Sequence, residues 1–146
     1  MARDPLAILL RVRRAALDQA RRALAECLAA EAIAAKALTK AEADIVQERA
    51  MAASLDADDS AVEAFGAWLR IALERVDQAR ASHERITAET ARARAIVALA
   101  QGSLEVAQTA FDQKATDERE ARQRREQLNL DEAVQTRQVR ARTYER

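Results

Sequence analysis

Glycine occurs twice in the 146 residues, proline, cysteine and histidine once each, and aromatic side chains make up only 3%. So little turn-forming and ring-bearing material excludes a compact fold of many short elements around a thick core. The lone Cys27 excludes an internal disulfide, and a single His83 leaves no Cys/His cluster with metal-ligand spacing. No apolar run approaches the ~20 residues of a membrane span, and the start has neither the uninterrupted apolar stretch nor the small-residue cleavage pattern of a secretory signal. Lys+Arg and Asp+Glu balance at 24 each, which removes the bulk electrostatic argument for a nucleic-acid or membrane-surface binder. There is no nucleotide-binding loop and no catalytic constellation. The expectation is a cytoplasmic, non-enzymatic chain with no catalytic residues, cofactor or metal.

What is present is alanine, leucine, glutamate, glutamine and arginine, with a third of the residues charged and nearly half apolar. Such a composition builds narrow helical seams. Asp4-Pro5 reads as a helix start, aspartate capping free N–H groups and proline filling a position whose hydrogen bond is not made anyway. The pattern continues to about Ser54. The stretch that follows concentrates Asp56, Asp58 and Asp59 and then offers Ser60 with Glu63 three residues later, a capping-box spacing. The reading is therefore helix 1 over about 5–54, a turn over about 55–60 and helix 2 over about 61–140, the second roughly 120 Å long at 1.5 Å per residue.

Both helices carry heptads. In helix 1, Leu10, Leu17, Leu24, Glu31, Leu38 and Ile45 fall seven apart, with Leu6, Arg13, Ala20, Cys27, Ala34 and Ala41 as the companion series. In helix 2, Leu69, Val76, His83, Thr90, Val97, Leu104 and Phe111 repeat, accompanied by Phe65, Ala72, Ala79, Ile86, Ala93, Ala100 and Ala107. The fold class that follows is all-α: two long helices in an antiparallel coiled-coil hairpin. Folding back at the acidic turn predicts Ile45 against Val76, Leu38 against His83, Glu31 against Thr90, Leu24 against Val97, Leu17 against Leu104 and Leu10 against Phe111. The alanine series pairs likewise, Cys27 against Ala93 and Ala20 against Ala100, so that large layers meet large and small meet small. Leu6 then falls near Lys114, and residues from about Asp117 onward form a C-terminal overhang. Its seam decays to Glu118, Ala121, Arg125, Leu128, Glu132, Gln135 and Val139. Too little of that is apolar to hold a pair.

The hairpin is expected to bring the termini to one end, where Arg3, Arg11, Arg13, Arg14, Arg21 and Arg22 would lie beside Arg137, Arg140, Arg142 and Arg146. The aspartates occupy the other.

Pro5, Leu6, Leu9, Leu10, Arg11 and Arg13, followed by Asp18 and the Ala20–Leu24 segment ARRAL, resemble the start of the flagellar type III export stalk family (FliJ-like), and length and layout are similar over essentially the whole chain. The resemblance implies a cytoplasmic stalk, peripheral at the inner face of the cell membrane through the export apparatus and not inserted in it. The terminal end would enter the ring of the hexameric flagellar export ATPase. The body near the turn would contact the cytoplasmic domain of the export gate, with export chaperones as further partners. It assigns Arg11, Arg13, Arg14, Arg137, Arg140 and Arg142 to the ATPase-facing end and Phe65, Trp68, Leu69 and Ala72 to the gate-facing patch. The protein alone would be monomeric. A virulence type III secretion stalk and a self-associating coiled-coil scaffold are the alternatives.

Blander readings stand beside these. The arginines also suit the solvated flank of a seam. Their interleaving with acids argues against nucleic acid. Phe65 reads as a plug of the closed end, whereas Trp68 lies off the seam, as a binding residue does. His83 reads as a seam residue, Cys27 as a small apolar filler. Gly102 predicts either a close approach to the other helix or a slight bend.

Overall fold

A computed structural model describes residues 4–54 and 58–144, with side chains through Arg140. Two long helices, α1 (Pro5–Ser54) and α2 (Asp59–Tyr144), pack against each other as a helical hairpin, and there is no strand among the described residues. Asp4 opens α1 twice over: its Oδ1 accepts from the Leu6 N–H at 3.1 Å and its carbonyl from the Ile8 N–H at 3.2 Å.

The start of α2 differs from the expected capping box. Asp58, not Ser60, is the cap, its Oδ1 accepting from the Ala61 N–H at 2.9 Å and its carbonyl from the Val62 N–H at 3.2 Å. A carboxylate both accepts the orphan N–H and offsets the positive helix end, so the earlier aspartate takes the position and Ser60 falls inside the helix. The helix therefore begins at Asp59 and runs to Tyr144, past the expected end near 140. Asp56 lies outside the described residues.

The chain divides into two units. In the first, Ala15–Gln101, the contacts between helices run Glu42 to Arg80 at 3.4 Å, Glu31 to Thr87 at 3.2 Å and Cys27 to Thr90 at 3.4 Å. Numbers fall on α1 as they rise on α2, so the segments are antiparallel. In the second, Met1–Arg14 with Gly102–Arg146, Arg14 meets Gln108 at 3.4 Å and Asp4 meets Lys114 at 2.9 Å, the same sense again.

Burial follows the heptads. Leu10, Leu17, Ala20, Ala34, Ala72, Val76, Thr90, Ala93 and Ala107 are buried, and Leu24, Leu38, Ile45, Val97, Leu104 and Phe111 are half-buried. Arg13 is the exception. Expected in the companion series, it is exposed, because a guanidinium facing the seam would lose its hydration with no acid to pair with.

The contacts scatter about the expected register, Cys27 with Thr90 and Glu31 with Thr87 falling to one side of it and Glu42 with Arg80 to the other. Glu31 was expected opposite Thr90. Its Oε1 instead accepts from the Thr87 hydroxyl, while the Thr90 hydroxyl donates to its own Ile86 carbonyl at 3.0 Å and lies 3.4 Å from the Cys27 carbonyl across the seam. Thr90 thus touches Cys27, a residue of the small series, as a seam side chain does when it enters a hole bounded by two adjacent levels of the facing helix. Thr90 is 0% exposed, and its hydroxyl is satisfied within its own helix.

Gly102 is not a point of close approach. A Cβ built on it meets nothing within 4 Å, its φ is not positive, and α2 runs through it without interruption.

Two measurements check this packing. Leu17, 5% exposed, when changed to Asp is expected to lower stability by more than about 3 kcal/mol and reduce helicity, whereas Leu130→Asp, at a position 66% exposed, should stay within about 0.5 kcal/mol in the same thermal melt. Gly102→Ala should raise stability by about 0.5–1 kcal/mol, since alanine gains helix propensity with no clash; a loss would mean that the glycine is held by something the hairpin does not contain.

Candidate functional site

Two aromatics lie near the start of α2. Phe65 is a seam position, and Trp68, three residues on, stands at its flank, so the rings stack with centroids 5.8 Å apart and planes 26° from parallel. Both are half-buried. Trp68 borders two depressions. An apolar groove of about 550 Å³ is lined by Met51, Ala52, Val62 and Phe65 among others, and a smaller polar one of about 240 Å³ by Asp44, Glu48 and Arg75.

Of the four residues assigned to the gate-facing patch, Phe65, Trp68 and Leu69 are half-buried and Ala72 is buried. Ala72, a seam residue, is among those that line the smaller groove beside Trp68, while Met51 and Val62 are exposed on the groove beside Phe65. A signal for Val62 existed, since it lies seven residues before Leu69 in the same heptad series, where the seam runs out toward the end of the helix.

In the second unit Arg11, Arg13 and Arg14 are exposed. Arg11 and Arg14 border a groove of about 380 Å³ whose apolar lining includes Leu10 and Phe111, and Arg14 Nη2 donates to Gln108 Oε1. Arg137 and Arg140 are exposed too, but α2 has by then continued some 26 residues past Phe111, about 40 Å along the helix. The expected joining of the basic ends does not occur. α1 begins beside Lys114, so the N-terminal arginines flank the paired segment and the C-terminal ones ride on the overhang. The side chain of Arg142 lies outside those described.

Asp4 and Lys114 hold the end of the pair. Lys114 Nζ is 2.9 Å from Asp4 Oδ1 and 3.8 Å from Glu118 Oε1. The Lys114 hydrogen bond, helped by the Leu6 N–H, holds the Asp4 carboxyl below its ordinary value, and the Asp4 bond raises the Lys114 ammonium above its own. His83 and Cys27 are half-buried seam residues. Among the described residues no cluster of three or more His, Cys, Asp or Glu could hold a metal ion, and no helix is long and apolar enough to cross a membrane.

The sign of the pH dependence follows. A depressed carboxyl contributes stability that is present above its unfolded value, near 3.9, and is lost as pH falls through the lower folded value. The raised ammonium contributes stability fully present below about 10.4 and lost as pH climbs through its higher folded value. The pair thus stabilises the end between roughly pH 4 and 10. Amide exchange near Leu6 and Ile8 should be slower in wild type than in Asp4→Asn at pH 6, with the difference fading as acid protonates the Asp4 carboxyl; a difference that persisted once Asp4 is protonated would mean that the charge is not the cause.

No protein-family model, no curated protein and no solved structure matches this chain.

Proposed function

We propose that the chain is a non-enzymatic stalk of the flagellar type III export apparatus, its terminal end entering the export ATPase ring and its body near Phe65 and Trp68 contacting the cytoplasmic domain of the export gate, with export chaperones as further partners. One observation carries the reading beyond the N-terminal resemblance. α2 outruns its partner by roughly 30 residues, about 45 Å of helix beyond Lys114, and from Arg122 to Arg140 every described residue of that arm is exposed. A central stalk requires this: a braced helical pair at one level and a single arm, narrow enough for a ring lumen, at another. The aromatic groove supports a second attachment, since stacked, half-buried rings beside exposed Met51 and Val62 have the make-up of a binding hot spot. With no nucleotide loop in the sequence, an effect on the ATPase would come from favouring ring assembly or one subunit state.

The scaffold reading has its own observation. Leu128, Leu130, Val134 and Val139 are all more than half exposed on the overhang, and a second copy would cover some of them.

ATP hydrolysis by a flagellar export ATPase, titrated with the full chain and with a version lacking residues 130–146, separates the two. Stimulation by the full chain that is lost on truncation is the expected result. Equal rates with and without either protein, together with a concentration-dependent increase of mass in solution, would replace the stalk by the scaffold.

A further inference from the structure

From Asp117 to Arg140 the overhang carries its charges in alternating blocks. Asp117, Glu118 and Glu120 precede Arg122, Arg124 and Arg125, and Asp131 and Glu132 precede Arg137 and Arg140, with only Arg119 and Glu126 out of place. All are exposed. Arg124 lies 2.9 Å from Glu120 on its own helix, whereas Arg125, Asp131 and Glu132 enter no ion pair among the described residues. The two seam series of α2 run on through this arm without a break in spacing. Glu118, Arg125 and Glu132 continue from Phe111, and Ala121, Leu128 and Gln135 continue from Ala107 and Lys114. The side of α2 that holds α1 is thus carried past Asp4 into a stretch, Arg122 to Gln138, in which every residue is exposed.

We propose that this arm pairs with the arm of a second copy of the chain, antiparallel and centred on Leu128. With large seam positions facing large and small facing small, Arg125 lies level with Glu132 of the second copy and Arg124 beside its Asp131. Two-fold symmetry makes each of these pairs twice. Leu128 meets its own counterpart near the axis, and Ala121 meets Gln135. A parallel, in-register pair does the reverse: Glu118, Arg125 and Glu132 would each face themselves, like charge on like. Burying Leu128 and Ala121 contributes little, so opposite charge, not apolar area, selects both the partner and its direction. Arg140 of the second copy falls level with Asp117, one turn from where Asp4 meets Lys114, so the second arm takes up the line of α1 along α2. This pairing does not rest on the stalk reading; where both hold, the ring and the second copy compete for one arm.

The test is sedimentation equilibrium of the full chain at low and high salt. A monomer–dimer equilibrium that shifts toward monomer as salt rises is expected. Arg124→Glu, Arg125→Glu and, on a separate chain, Asp131→Arg, Glu132→Arg, each with an unchanged helical circular dichroism spectrum, should self-associate roughly tenfold or more weakly, since four attractive pairs become repulsive. Mixed in equal amounts, the two variants should recover the wild-type dimer, because every reversed residue again meets its opposite. Direction is read by oxidation in a Cys27→Ser background, where a chain with Ala121→Cys should form a disulfide with a chain carrying Gln135→Cys in preference to a copy of itself. A monomer at every concentration and salt, a dimer that the reversals do not weaken, a mixture that stays monomeric, or disulfides joining like to like would each overturn the proposal. The stalk reading fails separately. A dimer with these properties and no ATPase stimulation leaves the pair and removes the ring; stimulation by a chain that never dimerises leaves the ring and removes the pair.

Discussion

Everything in this fold hangs on one narrow seam in which alanine does most of the filling. Among the described residues, five of the eight buried apolar ones, Ala20, Ala34, Ala72, Ala93 and Ala107, are alanines. A methyl group buries little area, so each layer contributes little, at roughly 25 cal/mol per Å² of apolar surface. Small residues repay this by letting the helix axes come close, toward the lower end of the usual ~8–10 Å, where backbones and neighbouring side chains make dispersion contacts. Stability is then spread along the length of the pair and not concentrated in one core. Its ends are the weakest points, which is why one is tied by Asp4 and Lys114 and the start of α2 is tied by the Asp58 cap.

The heptads made the seam legible because they specify rotation. A residue's place in a seven-residue repeat decides which side of the helix it occupies, and apart from Arg13 every residue of the two series is buried or half-buried. They do not specify translation. Sliding one helix past the other by about half a heptad again sets apolar positions opposite apolar positions, so periodicity accepts large-on-large and large-on-small layers alike. What selects between them is side-chain volume at each level, which the period of the repeat does not carry.

The same distinction explains the candidate sites. Arg11, Arg13 and Arg14 could be placed on the surface from the sequence, and the half-buried state of Phe65 agrees with its heptad position. The groove at Arg11, Leu10 and Phe111 could not be found that way, since it exists only where two helices at a particular level leave a gap. The supposed union of the basic ends was an error of a simpler kind. The helices are of unequal length, 50 against 86 residues, and α1 begins beside Lys114, so the end of α2 lies well past the start of α1.

That inequality also bears on how the overhang can be ordered at all. A helix of its length standing alone in water is marginal, because the first turn must be nucleated at a cost of order 10⁻³ in the equilibrium constant. Here nucleation is already complete: α2 enters the overhang from a paired segment, and each further residue adds one hydrogen bond for one fixed residue. Local contacts help propagation, with Arg124 reaching Glu120 at 2.9 Å and Gln113 reaching Asp117 at 2.9 Å. Farther out, the Thr136 hydroxyl folds back on its own helix and donates to the Glu132 carbonyl at 2.7 Å, an arrangement that gives helices little support. Helicity should therefore weaken progressively away from the seam, and a partner that grips the arm near Leu128 would gain more ordering the farther its contacts extend toward Arg140. For an arm of this kind, affinity and reach are coupled through the helix itself.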